Sequence, residues 1–245
     1  MYSPHFSSEL NLSVNTLAID VGGSGIKVML LDPHGLPISG RLRQDTPQPA
    51  KPEAVILVMA ELAEQISQTT AGFDRVSVGF PGVVNRGVTR GAINLGKFWD
   101  FFPLADRLEQ LWQKPVRVAN DADVQGFGAV KGLGVELVIT LGTGFGSALF
   151  LDGKLLPNLE MGQHVLIKDK TYEQLLGNAA LEKVGEKEWN QRLAQAIATL
   201  ELLFNFDYLY IGGGNAKKVN LDLPAHIQLV SNQLGLTGGI ALWQL

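Results

Sequence analysis

With 245 residues and 46% hydrophobic content, the chain can bury one large core or two modest ones. A net charge of −4 argues against broad nucleic-acid or membrane-surface binding. The lack of cysteine removes disulfides, thiol nucleophiles and thiolate zinc sites together.

The opening MYSPHFSSELNLS has no basic stretch followed by an apolar core, so no secretory leader is expected. Leu17–Ile19 then runs into the glycine-rich DVGGSGIK, and Ile26–Asp32 is a second apolar run ending in the turn PHG. In a dinucleotide-binding fingerprint the glycines open a helix. Here a β-branched apolar run follows, which predicts strand, glycine turn, strand. Val55, Val58, Leu62 and Ile66 predict a helix from Pro52 to Gln68, with Pro52 suited to its first turn. Its most apolar part, AVILVMAEL, carries Glu61 and is too short to cross a bilayer. These features together predict a soluble cytoplasmic protein.

Val76–Val84 reads as a strand leading into a Gly-Pro-Gly loop, and Leu104, Leu108 and Leu111 mark a helix closing before Pro115. VRVAN is a strand, and a helix over Ala122–Lys131 follows. Val135–Gly153 repeats the shape of the first stretch. A shift of 120 residues brings Gly22 onto Gly142, Leu31 onto Leu151 and Asp32 onto Asp152 without a gap. An internal duplication is therefore expected. Trp189, Leu193, Ile197, Leu200 and Phe204 form a long helical stripe, YLYIGGGN is a strand entering a third glycine cluster, and GGIALWQL reads as a closing helix. The alternation predicts an α/β fold with mixed sheets.

Glycine tolerates positive φ and lets backbone N–H groups approach an anion closely. One such cluster is as well explained by a tight hairpin; three at strand ends point to phosphate. The loops DVGGSGIK, LGTGFGS and IGGGN, together with VGFPGVV, AINLGKFW, VANDAD and PNLEMG, resemble the ROK sugar kinases, and most closely their polyphosphate-glucokinase branch. That resemblance implies the two-lobed actin-like (ribonuclease H-like) ATPase fold, with mixed central sheets and an interlobe cleft. It assigns residues 1–120 to an N-terminal lobe completed by a C-terminal helix over 235–245, and 121–234 to a second lobe. The implied reaction moves a phosphoryl group from polyphosphate or ATP to the 6-hydroxyl of glucose or a related hexose, with Mg²⁺ and without zinc. A homodimer is also implied. No N-terminal helix-turn-helix pattern is seen, which argues against the repressor branch.

Asp121 is the candidate general base: a hydroxyl attacks phosphorus poorly until a carboxylate takes its proton. The competing role is an N-cap, and a helix start would also favour the ionised carboxylate. The resemblance assigns Asn94, Asn120, Asp121, Glu160 and Gln163 to the sugar. It gives the donor phosphates Asp20, Gly22, Gly23, Ser24, Gly25 and Lys27 from the first turn, and Gly142, Thr143, Gly144 and Gly146 from the second. Gly212, Gly213, Gly214 and Lys217 complete that set, with Asp20 as the magnesium residue. The family pattern Glu-x-Gly-His reads Glu160-Met161-Gly162-Gln163 here, so Gln163 stands in for the histidine unless a one-residue bulge brings His164 there. Arg86, Arg90, Lys97, Lys131, Lys217 and Lys218 are the candidate cations for a polyphosphate chain. Other readings are a strictly ATP-dependent ROK kinase for another hexose, a sugar-binding or regulatory module without turnover, and a nicotinamide oxidoreductase; the strand after DVGGSGIK weighs against the last.

Overall fold

The computed structural model describes residues 14–244. The first thirteen residues, on which the leader expectation rests, lie outside the described residues, as does Leu245.

Strands β1 (Thr16–Val21) and β2 (Ile26–Leu31) form an antiparallel hairpin in which Thr16 faces Leu31 and Val21 faces Ile26. Both are apolar runs, and their least buried residues are Asp20 and Lys27, which face each other in register. Around them come β3 (Leu42–Gln44), helix α1 (Pro52–Thr69), β4 (Arg75–Phe80), the small hairpin β5 (Val83–Asn85) and β6 (Val88–Arg90), α2 (Leu104–Trp112) and β7 (Val116–Asn120). The first sheet has the order β3-β2-β1-β4-β7, with β4 and β7 parallel to their neighbours. Its core includes Val55 and Leu62 of α1, Phe80, Leu104, Leu108 and the buried Trp99, whose Nε1 donates to Ala50 O at 2.8 Å.

Helix α3 (Asp121–Ala129) leads to β8 (Val135–Leu141), β9 (Phe145–Leu151) and β10 (Lys154–Leu156). The chain continues through β11 (Val165–Ile167), β12 (Lys170–Thr171), α4 (Tyr172–Leu176), α5 (Asn178–Phe204), β13 (Tyr208–Gly212) and β14 (Ile227–Leu229). The second sheet runs β10-β9-β8-β13-β14. Strand for strand, in order and direction, this is the first sheet again, and the expected duplication is visible in the topology. The counterpart of the third glycine cluster, after β13, is the Pro81-Gly82 loop after β4.

The gapless alignment of the two hairpins is corrected by the pairing. The turn between β1 and β2 spans four residues and closes with Gly22 N–H on Gly25 O; the turn between β8 and β9 spans three and closes on Gly144 O. Leu31 faces Thr16, whereas the residue facing Glu136 is Phe150, not Leu151. Because side chains alternate along a strand, the one-residue difference decides burial: Phe150 is fully buried and Leu151 is 59% exposed.

The long predicted stripe lies in α5, after a break at Gly185, where φ is +76°. The closing helix is shorter than expected. α6 (Leu234–Thr237) gives way to a 3₁₀ segment, Gly238–Trp243. The segment packs too closely for side chains at its start: a Cβ on Gly238 would stand 2.0 Å from Val124 O and one on Gly239 2.9 Å from Ser77 Cβ. Ser77 Oγ donates to Gly239 O at 2.7 Å, and Trp243 lies under the guanidinium groups of Arg75 and Arg117. No helix among the described residues is long and apolar enough to cross a membrane.

Gly238→Ala should cost about 1–3 kcal/mol in urea denaturation, because the backbone of α3 cannot yield to a methyl group. Gly40→Ala, where nothing stands within 4 Å, is the control and should change stability little.

Candidate functional site

A cavity of about 610 Å³ opens between the two sheets. Asp20, Gly22, Gly23, Ser24, Gly25 and Lys27 of the first turn line it, with Gly142, Thr143, Gly144 and Gly146 of the second and Gly213, Gly214 and Lys217 of the third. Asn94, Asn120, Asp121, Glu160 and Gln163 share the same wall. The first two turns meet there: a Cβ on Gly23 would stand 3.1 Å from Asn94 Cβ and 3.6 Å from Thr143 Cγ2.

Asn120 ends β7 and caps α3, its Oδ1 accepting from the N–H groups of Ala122 (2.9 Å) and Asp123 (3.3 Å). Its Nδ2 donates to Gly82 O and to Glu160 Oε1, each at 3.2 Å. The cap is therefore Asn120, and Asp121 is the first helical residue. This leaves Asp121 Oδ1 to accept from Ala122 N–H at 2.8 Å. The expectation that the helix start keeps Asp121 ionised is also corrected. Burial first, then the charge of Asp20, pushes its pKa up to about 8; the Ala122 N–H pulls the other way, and Glu160 and Asp123 add to the rise. Backbone dipoles lose here to desolvation and like charge.

The neighbouring acids share this pressure. Burial raises Glu160, with Glu173 adding to it, and burial also raises Glu173. Asp123, 1% exposed, is pushed up to about 7 mainly by burial, against the pull of the Asn158 N–H. The opposing charges on the wall are Lys27, Arg43 and Lys217. Lys27 Nζ is held 2.7 Å from Asp20 Oδ2. Among the described residues no group of three or more His, Asp or Glu is placed to hold a metal. A single wall carboxylate, Asp20, still fits magnesium, a hard ion that takes one or two protein oxygens and fills its shell with phosphate and water.

Several predicted residues lie elsewhere. Gly212 is not on the wall; Gln125 Nε2 would be 1.9 Å from a Cβ there, so this glycine makes room for a side chain rather than for a ligand. The cavity takes Gln163, and His164 is exposed outside it. Of the six candidate cations only Lys217 lines the wall. Lys131 lies over the Tyr208 ring and Lys218 pairs with Glu186.

Other wall residues were not anticipated. Arg43 comes from edge strand β3; its Nη2 donates to Ser24 O at 2.9 Å, and its guanidinium fills the space a side chain on Gly25 would need. Glu173 Oε2 accepts from Phe145 N–H at 3.4 Å. The Thr171–Gln174 capping box is a sequence signal for the start of α4, though not for where Glu173 faces. Gln125 reaches the wall from the second turn of α3.

Two matching sheets, with glycine turns and crowded carboxylates between them, define a class: an actin-like phosphotransferase. Residues 16–171 match the ROK family. The chain is 33% identical over 235 residues to a polyphosphate glucokinase of Mycobacterium leprae, covering 91% of this chain and 71% of that one. It superposes on an inorganic polyphosphate/ATP-glucomannokinase from Arthrobacter sp. strain KM with a TM-score of 0.86 at 33% identity, covering 94% and 99% of the two chains. A ROK family glucokinase from Streptomyces griseus, solved with glucose and AMPPNP, shares the fold at 20% identity, with a TM-score of 0.76 over 93% and 98% of the chains. The chain belongs to the ROK family and is a sugar kinase.

Carbon-13 NMR of the aspartate carboxyl groups should find one titrating near pH 8, missing in Asp121→Asn and moved to lower pH in Asp20→Asn. In the fold the ionised form of Asp121 is the disfavoured one, so the carboxyl weakens the fold as pH rises from the unfolded value near 4 toward 8. The gain in Tm on Asp121→Asn should therefore grow from pH 5 to pH 9.

Proposed function

We propose that this cavity transfers a phosphoryl group to the 6-hydroxyl of glucose, from polyphosphate with ATP as an alternative donor. The observation that carries the reading is the convergence of Asp121, Asn120 and Glu160 with three glycine turns on one cavity. The names of the relatives, polyphosphate glucokinase and polyphosphate/ATP-glucomannokinase, support the choice of substrates.

Asn94, Glu160 and Gln163 supply the mixed donors and acceptors that a sugar's hydroxyl fan requires, and Asn120, whose amide is taken by protein groups, serves the sugar by holding Glu160 in place. Asp121 takes the proton of the 6-hydroxyl as its oxygen bonds to phosphorus, help worth ~10²–10⁴-fold in rate. A carboxyl with a pKa near 8 is a stronger base than an ordinary aspartate, and it is available where enough of it is ionised. Lys27 and the N–H groups of the first two turns meet the charge gathering on the transferred group. Magnesium bound with the donor supplies positive charge to the phosphate oxygens, and Asp20 would hold it. The donor tail runs past Gly213, Gly214 and Lys217, with Arg43 at the opposite turn. We also assign the lobe division to the junction after Asn120, with the segment after Leu234 returning to the first lobe; the Ser77–Gly239 hydrogen bond supports it.

An assay of glucose 6-phosphate with each donor across several hexoses tests the reading. Product with at least one donor is expected, and Asp121→Asn should lower kcat by about 10²–10⁴-fold. Sugar binding in calorimetry with no turnover on either donor would instead assign the chain to the non-catalytic reading.

A further inference from the structure

Asn158 touches neither the cavity nor any group assigned to the reaction, yet it joins the two halves of the acceptor wall. Its side-chain Oδ1 accepts from Val84 N–H at 2.8 Å, and its Nδ2 donates to Val84 O at 3.1 Å. Val84 is in β5, whose one paired edge is taken by β6. The amide thus does on the other edge of β5 what a neighbouring strand's backbone would do. The two residues come from opposite sides of the cleft: Val84 packs in the core of the first sheet, and Asn158 follows β10 of the second.

The loop that carries Asn158 is fixed along its length. Its own N–H donates to Asp123 Oδ2 at 3.0 Å, so a buried carboxyl of α3 sets its depth. Leu159 O accepts from Ser147 Oγ, and Ser147 Oγ in turn accepts from Met161 N–H at 3.2 Å. Between them Glu160 faces the cavity and meets Asn120. Asn158 has φ +62°, a left-handed conformation that asparagine and glycine tolerate better than other residues. Of those two, only asparagine also offers a donor and an acceptor together.

We propose that Asn158 is a positioning residue for the sugar: by pinning its loop to Val84 across the cleft, it holds Glu160 at the distance from Asn120 and Gly82 that the acceptor requires. The inference rests on the assignment of Glu160 to the sugar. It adds that the acceptor wall is closed across both sheets by an amide that meets no substrate.

The test is a double-mutant cycle read in steady-state kinetics, with KM measured separately for glucose and for ATP. Asn158→Gly keeps the left-handed backbone and removes the amide. It should raise the glucose KM about tenfold, the worth of two modest hydrogen bonds, and leave the ATP KM within about twofold. Glu160→Gln should raise the glucose KM by itself. If Asn158 acts through Glu160, the double variant should be no worse than Glu160→Gln alone. Asn158→Asp, which keeps volume and the acceptor but loses the donor to Val84 O, should raise the glucose KM in the same selective way, and it serves if the glycine variant fails to fold. Equal rises for both substrates, full additivity with Glu160→Gln, or an unchanged glucose KM in both Asn158 variants would overturn the inference. A glucose KM indifferent to Glu160→Gln would instead overturn the sugar assignment beneath it.

Discussion

The side chain of Asn120 uses all of its hydrogen-bonding capacity on four groups from three segments. Its carbonyl receives the Ala122 and Asp123 N–H groups, and its amide reaches Gly82 O and Glu160. One planar group therefore starts α3, fixes the loop after β4 and orients the acid across the cleft. Asp121 gains its position as a result. With the cap supplied by its neighbour, its carboxylate spends only Oδ1 on the helix start, at Ala122 N–H, and still lines the cavity. An aspartate in place of Asn120 could cap the helix but could not donate to Gly82 or Glu160.

Around that point the chemistry is governed by burial of the acids first and by crowding of like charge after it. Asp20, Asp121, Glu160 and Glu173 line one cavity, and each ionised carboxylate makes the next harder to ionise. The fold relieves this at Asp20 by setting Lys27 directly opposite in the β1–β2 pairing. It does not relieve it at Asp121, which keeps its proton well above the ordinary aspartate range. A group that must accept a proton is held where losing one is costly, which raises its affinity for the next.

Much of this was legible in the sequence because glycine is a strong signal where backbone must approach backbone. The three turns, the strand pairs and the ND dipeptide announce themselves by residue type, and they define most of the cavity wall. The failures have physical causes. The hairpin repeat was displaced by one residue because one turn is shorter, and spacing alone cannot tell a loop deletion from a strand shift. Gly212 looked like its neighbours, yet it serves the packing of Gln125. Arg43 and Glu173 sit in unremarkable local sequence, and only strand order and the entry of α4 bring them to the wall. Charge alone marks Lys131 and Lys218 as phosphate candidates, whereas a ring and a glutamate decide where they lie.

The closing segment has a consequence for synthesis. Gly239 and Trp243 cover Ser77 and neighbouring parts of β1, β4 and β7, but the ribosome makes them only after the entire second sheet. A nascent chain must wait with one face of its first half bare, since the contact from Ser77 to Gly239 spans 162 positions and cannot form sooner. The two halves therefore do not mature one after the other like beads on a thread. The first to be translated is the last to be finished, and a gene cut between them would yield a leading fragment lacking its own seal.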